Sequence, residues 1–373
     1  MRHKQATIFS LVLVLTFFVL GPALFVFVVD PFQVYHSSFF KEARYSKEQV
    51  YQHAGWINRL LADPEKNYQG IVIGPSTMAN YTQSLINDHV RWGNTLNLSV
   101  NGSTPQMQYA TAKYALEKNP HVKHILWDVH FLYVFDPGDE ERSNLKFPYY
   151  LYNSNVFDDY PYIFNTTNVD SGLKFLANDF SQFAEGIEDN GPFYKSLLAA
   201  NEYNINGSLE NRKNVLLPQI VDIDRKVPDK DFYLKQKFPS IDLYMLNVLL
   251  PLCNTDTDIN ITFSPTTRHL YATLGYADFL YKQILMRRYV MEHTQSCRNI
   301  RVFAFDNIDW ITGNLSNYAD NFHYAININN YIVESIAKNE NRLTPENIDQ
   351  YEARFISNLN NYKKVFLENL DKP

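Results

Sequence analysis

Five short apolar segments, separated by stretches with helical spacing, constrain the fold of this chain more than any other feature of its sequence. They occupy residues 70–74, 95–99, 124–128, 260–264 and 300–305. Short apolar strands that alternate with helices are typical of βαβ units, which assemble into a parallel sheet covered by helices. We therefore predict an α/β fold, a three-layer α/β/α sandwich around a parallel, flavodoxin-like sheet of five strands.

The segments between the predicted strands indicate where the helices and the largest insertion lie. Helical spacing predicts helices at residues 105–118, 239–253, 267–293 and 344–370, the last with Thr344 as its N-cap and Pro345 at its first position. Residues 134–237 interrupt the alternation after the third strand and are rich in Tyr, Phe, Asn and Asp. Because ligands bind beyond the carboxyl ends of parallel strands, we interpret this stretch as an insertion that caps a site.

The tyrosines of this insertion have two interpretations. Those that stand among polar residues are Tyr149, Tyr150, Tyr152, Tyr160 and Tyr162. A tyrosine presents a flat apolar face and a hydroxyl group, which suits stacking on a sugar ring. The alternative is that these rings pack an irregular polar surface, and the sequence leaves both interpretations open.

The N-terminus carries an uncharged, apolar run over residues 6–29, preceded by Arg2, His3 and Lys4. A run of this length can cross a membrane as a helix, and no small-residue cleavage site follows it. Basic residues before such a run place the N-terminus in the cytoplasm. We therefore predict a single-pass anchor in the inner membrane, with the rest of the chain on the extracytoplasmic, periplasmic side; a cleaved signal peptide is the alternative.

These patterns divide the chain into four regions. Residues 1–30 form the cytoplasmic N-terminus and the anchor, and residues 31–67 form a stalk with a short amphipathic helix. Residues 68–340 form the α/β domain, which contains the insertion, and residues 341–373 form a C-terminal helix. No internal repeat is evident.

Composition and charge exclude some classes of protein. Hydrophobic residues make up 45% and charged residues 20% of the chain, a balance typical of a folded protein. The net charge of -6 and the lack of Lys and Arg runs argue against a nucleic-acid partner, which needs a basic face. Cys253 and Cys297 have no His cluster nearby, so we expect no metal site, and outside the cytoplasm the two could form a disulfide. No phosphate loop or dinucleotide fingerprint is present, so no cofactor is expected.

Two separate motifs carry the candidate chemistry. Gly74-Pro75-Ser76 directly follows the first strand, which places a hydroxyl at the carboxyl edge of the sheet beside a predicted helix N-terminus. Asp320-Asn-Phe-His323 follows the fifth strand. A histidine here can take the proton of Ser76 as a general base, and Asp320 can hold the imidazole tautomer. Each motif taken alone is more often a helix cap, but their occurrence at the ends of two strands favours one site.

At these two motifs the chain resembles the SGNH (GDSL-like) hydrolase superfamily, which has a Gly-x-Ser after its first strand and an Asp-x-x-His near its C-terminus. The resemblance implies Ser76, His323 and Asp320 as a catalytic triad, with an oxyanion hole formed by the N–H groups of Ser76 and Gly102. The third sequence motif of the family is not matched, because Asp128 stands where an asparagine is usual. Asn101 and His130 are then the alternative oxyanion donors.

With its anchor and insertion, the chain looks most similar to the membrane-anchored branch of that superfamily, which includes DltD-type and alginate O-acetylation proteins. This similarity implies a serine esterase or O-acyltransferase that acts on a cell-envelope polysaccharide or another polyol, beside a membrane-bound O-acyltransferase. Candidate substrate-binding residues are Arg268 and His269, after the fourth strand, and Asp128. The alternative function is a non-catalytic envelope-assembly or glycan-binding factor that keeps the fold as a scaffold.

Overall fold

The computed structural model of the chain describes residues 16–35, 67–137, 147–177, 237–273 and 277–370, with the positions 5, 14, 45–46, 54–55, 57–58 and 183–184. The chain divides into two compact units. Unit 1 comprises residues 1–67, 113–120 and 146–195, and unit 2 comprises residues 68–112, 121–145 and 196–373. Most of the predicted stalk and much of the predicted insertion lie outside the described residues.

Unit 2 is built on a mixed, mostly parallel sheet of six strands. The strands are β1 (Gly70–Ile73), β2 (Thr95–Asn97), β3 (His124–Asp128), β4 (Asp258–Phe263), β5 (Ile300–Ala304) and β6 (Arg342–Leu343). Their order is β2-β1-β3-β4-β5-β6, in which β6 alone pairs antiparallel, with β5. The predicted sheet of five parallel strands was therefore wrong by one strand. Two residues are too few to show the apolar pattern by which the other strands were found.

The described helices alternate with these strands. They are α1 (Gly21–Val29), α2 (Gln83–His89), α3 (Pro105–Lys118), α4 (Tyr160–Ile163), α5 (Thr166–Leu176), α6 (Asn247–Leu249), α7 (Arg268–Thr273), α8 (Ala277–Thr294), α9 (Asp309–Thr312), α10 (Ile326–Lys338) and α11 (Ile348–Leu370). Single 3-10 turns lie at Ser76–Met78, Phe131–Val134, Tyr149–Leu151 and Leu315–Asn317. The described helices α2, α3, α7 and α8 lie between successive parallel strands, as βαβ units require, and α10 lies between β5 and the antiparallel β6.

Three predicted helices differ from the structure. The helix expected at 239–253 is irregular, because a π-helix (Ile241–Leu246) leads into α6 and a 3-10 turn (Leu250–Leu252) follows it. The helix expected at 267–293 is described as α7 and α8, and residues 274–276 lie outside the described part. The last helix begins at Ile348 and not at Pro345, and residues 345–347 form a turn before it.

Helices pack on both faces of the sheet. Val72 of β1 and Leu126 of β3 are paired neighbours on one face, and they share an apolar core with residues of α2 and α10. On the opposite face, Trp127 donates a hydrogen bond to a side chain of α3. The guanidinium of Arg287 in α8 lies 4.8 Å from the ring centroid of Phe263 on this same face. The parallel strands are thereby removed from water on both sides.

Cys253 and Cys297 are joined by a disulfide, with their Cα atoms 5.0 Å apart. Cys253 precedes β4 and Cys297 precedes β5, which are neighbouring parallel strands. The bridge therefore connects the amino ends of two adjacent strands, at the edge of the sheet opposite to the one where the strands end.

Unit 1 contains α1, α4 and α5 and a two-residue antiparallel pair between Tyr45–Ser46 and Phe183–Ala184. α1 continues a π-helix (Thr16–Leu20), and its Ala23, Val26 and Val29 are buried. In the part of the chain that the structure describes, no helix combines the length and apolarity needed to span a membrane. Most positions of the predicted anchor before residue 16 lie outside that part.

Candidate active site

Ser76 lies three residues beyond the end of β1, after a glycine that the backbone requires. A Cβ atom at Gly74 would collide with the side chain of Met78 and would lie 3.1 Å from the Cβ of Asp128. Glycine therefore lets the chain pass close over the end of β3 before it turns. Ser76 opens a single 3-10 turn, and α2 begins only at Gln83. The predicted helix N-terminus behind the serine was therefore wrong, and the dipole of one such turn is small.

Asp320 and His323 lie on a short loop between α9 and α10 that closes on itself. Tyr318 and Tyr324 form an antiparallel bridge at the base of this loop. The N–H of Ala319 donates to the carbonyl of His323 at 2.9 Å. The hydrogen bonds across its base hold both catalytic candidates at fixed positions without a helix.

Ser76, His323 and Asp320 form a continuous chain of hydrogen bonds. The Nε2 atom of His323 lies 2.8 Å from the Oγ of Ser76. The Nδ1 atom of the same ring lies 2.6 Å from the Oδ2 of Asp320. Both distances are within the range for a nucleophile and its base and for a base and its orienting carboxylate.

Asp320 is oriented by the backbone of its own loop. Its Oδ1 accepts hydrogen bonds from the N–H groups of Phe322 and His323, each at 2.8 Å. Burial alone would raise the pKa of Asp320, but the hydrogen bonds from the His323 ring and from these N–H groups outweigh it and hold the pKa below its usual value. Asp320 is therefore a carboxylate at neutral pH, which is the state that can stabilise an imidazolium.

A second set of contacts ties this loop to the residues that follow β4. Thr267 donates through its hydroxyl to the side-chain oxygen of Asn321 at 2.8 Å and through its N–H to the backbone carbonyl of Asn321 at 3.1 Å. The hydroxyl of Tyr324 lies 3.0 Å from that of Ser264 and 3.3 Å from that of Tyr81. The loop that carries Asp320 and His323, the triad loop, is thus attached to the residues that follow β4 and to those that follow β1.

Gly102, the predicted second oxyanion donor, lies on a loop that is bonded to the chain just before Ser76. The carbonyl of Gly74 accepts from the N–H of Val100 and from the hydroxyl of Ser103, both at 3.1 Å. Gly102 has a φ of 63°, a conformation that favours glycine. In the described part of the chain, neither the N–H of Ser76 nor that of Gly102 donates to another protein group. Asn101, which directly precedes Gly102, is half-buried.

Asp128 is fully buried and holds neighbouring strand ends together. It accepts hydrogen bonds from the hydroxyls of Thr77 and Thr262, at 3.0 and 3.3 Å, and from the N–H of Ser264 at 3.0 Å. Burial raises its pKa to about 6 against the effect of these hydrogen bonds. With no exposed surface, Asp128 positions Thr77, the residue after Ser76.

His130 lies beside the triad loop, with its ring centroid 5.4 Å from that of Phe322. Burial, with a smaller effect from His323, lowers its pKa to about 3, so the imidazole is neutral at any ordinary pH. Its Nδ1 is buried and has no hydrogen-bond partner among the described residues. His130 therefore remains a candidate donor or acceptor for a bound substrate.

The two basic candidates after β4 have other partners. Arg268 forms an ion pair with Asp309. The Nδ1 of His269, a buried residue, lies 3.5 Å from the hydroxyl of Tyr362 in α11. The helix α7 that contains both is capped by the Thr267 side chain, which accepts from the N–H of Leu270 at 3.2 Å. Both side chains therefore have contacts within the protein, and their substrate-binding role stays a prediction.

Neither a scan of protein-family models nor a search of curated proteins gave a match for this chain. Among the residues that the structure describes, no group of His, Cys, Asp and Glu side chains is arranged to hold a metal ion.

Proposed function

We propose that this protein is a serine-dependent acyl esterase or O-acyltransferase of the SGNH type. The observation that carries the proposal is the hydrogen-bonded chain from the Oγ of Ser76 through both ring nitrogens of His323 to Asp320. A structural serine has no need of a histidine that is itself oriented by a carboxylate. The same three residue types in the same roles recur on unrelated folds as an acyl-transfer site.

The position of the serine in the sheet supports this assignment. The strand order β2-β1-β3-β4-β5 is that of a doubly wound, flavodoxin-like sheet, and helices on both faces fit a three-layer sandwich. In such sheets ligands bind at the point where the order reverses, which lies between β1 and β3. Ser76 follows β1 and Asp128 ends β3, so the reaction centre is at this point.

The proposed mechanism has two steps. His323 takes the proton from Ser76 while the Oγ attacks an acyl carbonyl, and the imidazolium then gives that proton to the leaving oxygen. The acyl group remains on Ser76 as an ester. In the second step the oxygen of water or of an alcohol attacks this ester, with His323 again as the base. The bond between the acyl carbon and Oγ then breaks, and the imidazolium returns the proton to Ser76. Water as the nucleophile gives an esterase, and a sugar or polyol hydroxyl gives a transferase.

The oxyanion of each tetrahedral intermediate needs donors. The N–H groups of Ser76 and Gly102 supply them in this proposal, because both are unbonded to other described protein groups and the Gly102 loop is fixed to Gly74. Asn101 and His130 are further candidates on the same side of the sheet. The Asp128 carboxylate cannot serve, since it accepts hydrogen bonds and is buried behind Thr77.

The sequence resemblance is also the basis for proposing where the protein acts. An anchor over residues 6–29 would hold the reaction centre at the outer face of the inner membrane, where a disulfide such as Cys253–Cys297 persists. A cell-envelope polysaccharide is then the proposed acyl carrier or acceptor, and a membrane-bound O-acyltransferase is the proposed partner. Exclusion of water from the acyl-enzyme would favour transfer over hydrolysis.

The proposal is tested by turnover of p-nitrophenyl acetate by the full-length chain in detergent. Ser76→Ala and His323→Ala should each lower the rate by at least about 1000-fold. Two matched controls carry the same changes at exposed residues, Ser84→Ala and His293→Ala, and should keep the wild-type rate. Equal rates in all five proteins would contradict the enzyme and favour the non-catalytic, glycan-binding alternative.

A further inference from the structure

Unit 1 contains an open cavity of about 400 Å³ that shares no residue with the triad. Residues from four separate stretches line it: those that directly follow α1, Asn58, the last turns of α3, and residues 151–159. Its size is within the range of cavities that hold small ligands. The lining is a mixture of aromatic, amide and charged side chains, which indicates the kind of ligand that the cavity can hold.

One wall of the cavity is a fixed aromatic ring. Tyr114 is buried, and its hydroxyl donates to the Oδ1 of Asn58 at 2.8 Å. The Tyr152 ring packs against it edge to face, with the centroids 5.7 Å apart. The ammonium of Lys118 lies 5.3 Å from the Tyr114 ring centroid at the rim. The Tyr114 ring thus lines the cavity in a fixed position, so its contact with a ligand costs no side-chain entropy on binding.

The opposite side carries a carboxyl group that is almost fully buried. Asp159 is 6% exposed, and burial raises its pKa to about 6, although the hydrogen bond with the Tyr35 hydroxyl lowers it. The same burial and the nearness of Asp159 raise the pKa of Tyr35 well above its usual value. Both groups line the cavity. A buried carboxyl is retained where it has donors to bind, and sugar hydroxyls are such donors.

The rim is preorganised by asparagine turns. The Oδ1 of Asn153 accepts from the N–H of Asn155 at 2.6 Å, and its amide donates to the carbonyl of Tyr150 and to Asp158, at 3.0 and 3.1 Å. This segment reaches the cavity with its backbone already bonded, so a ligand need not order it.

We propose that this cavity binds one to two neutral sugar rings of a saccharide. An aromatic face with a carboxylate, an amide and an ammonium around it matches a ring that is apolar on its faces and bears hydroxyls at its edge. A purely apolar ligand would give the Asp159 carboxyl no donor beyond the Tyr35 hydroxyl, and a phosphate would be repelled by Asp158 and Asp159. The site rests on its own residues and stands whether or not Ser76 is a nucleophile.

The test is saturation-transfer NMR with the trisaccharides of N-acetylglucosamine and of maltose-type glucose. The protein is the full-length Ser76→Ala chain in lipid nanodiscs, since sugar-headed detergents would compete and turnover would confuse the signal. Binding of at least one probe is expected. Asp159→Asn should weaken it about tenfold and Tyr114→Phe about threefold, because each removes hydrogen bonds at the site. Glu117→Gln, an exposed change on the same helix, is the control and should bind as the parent.

Absence of transfer to both probes from a folded parent would overturn the proposal. Equal affinity in the parent, Asp159→Asn and Tyr114→Phe chains would also overturn it, because the saccharide would then be bound elsewhere. Should Asp159→Asn fail to fold, Tyr114→Phe alone decides, since it keeps the ring and removes only one hydroxyl.

Discussion

The Nε2 of His323 lies 2.8 Å from the Oγ of Ser76, although 247 positions separate the two residues in the chain. The serine lies just after the end of β1, and the histidine lies on a closed loop that precedes α10. Both elements meet at the carboxyl edge of the sheet, where parallel strands bring their following loops together.

Asp320→Asn should lower kcat for p-nitrophenyl acetate by about 10⁴-fold while KM changes little. An asparagine can still accept from the N–H groups of Phe322 and His323, so the loop should keep its shape. Its amide cannot stabilise the imidazolium or hold the tautomer that presents Nε2 to Ser76 as an acceptor. Steady-state kinetics with circular dichroism measures both effects, and a loss below tenfold would remove Asp320 from the mechanism.

Asp128→Asn should change how stability depends on pH. The pKa of Asp128 is raised from 3.8 to about 6, so the folded chain holds this proton more tightly than the unfolded chain does. The stability that this group contributes is present below pH 4 and is lost as pH rises through 6. The shift of about two units corresponds to about 3 kcal/mol. Asparagine does not titrate, so the variant should lack this loss.

The measurement for Asp128 is urea unfolding of both proteins at pH 4 and pH 7. The difference in unfolding free energy should move in favour of the variant as the pH rises. Groups that titrate in both proteins cancel in this comparison. A difference that stays constant between the two pH values would contradict a raised pKa at Asp128.

Removal of the disulfide by Cys253→Ala with Cys297→Ala should destabilise unit 2 by about 4 kcal/mol, because the bridge closes a long loop in the unfolded chain. The two cysteines are 44 residues apart. They lie at the amino ends of the strands, away from Ser76, so the rate per folded molecule should not change. Thermal unfolding and p-nitrophenyl acetate turnover together test this separation of stability from activity.

Gly74→Ala should reduce turnover by about 100-fold, since a displacement of about 1 Å at a reacting group has effects of this size. The added methyl would collide with Met78 and press on Asp128, which would move Ser76 relative to His323. Gly21→Ala is the matched control, because nothing lies within 4 Å of the added atom there. Wild-type turnover by Gly74→Ala would show that the close approach of Gly74 to Met78 and Asp128 does not affect the position of Ser76.

Sequence reasoning predicted the α/β class and the meeting of Ser76 with Asp320 and His323 for one physical reason. Apolar strands can be recognised from their composition, and the residues that follow parallel strands lie at the same edge of the sheet. β6 was missed because Arg342–Leu343 is too short for a pattern.

The supporting contacts were not predictable from the sequence in the same way. The hydrogen bonds from Thr267 to Asn321 and from Thr77 to Asp128 join polar residues from distant stretches, and single polar residues in loops carry no periodic signal. The substrate role suggested for Arg268 followed from its place after β4, but Asp309, 41 positions later, is its ion-pair partner. Such pairings depend on loop conformation, which strand and helix patterns do not specify.

The central claim is that Ser76 is a nucleophile activated by His323. The most direct measurement is intact and peptide mass spectrometry of the full-length chain after treatment with a fluorophosphonate. We expect one adduct per chain, located on the peptide that contains Ser76, and its loss in both Ser76→Ala and His323→Ala. An adduct on another residue, or no adduct on the folded wild-type chain, would contradict the claim.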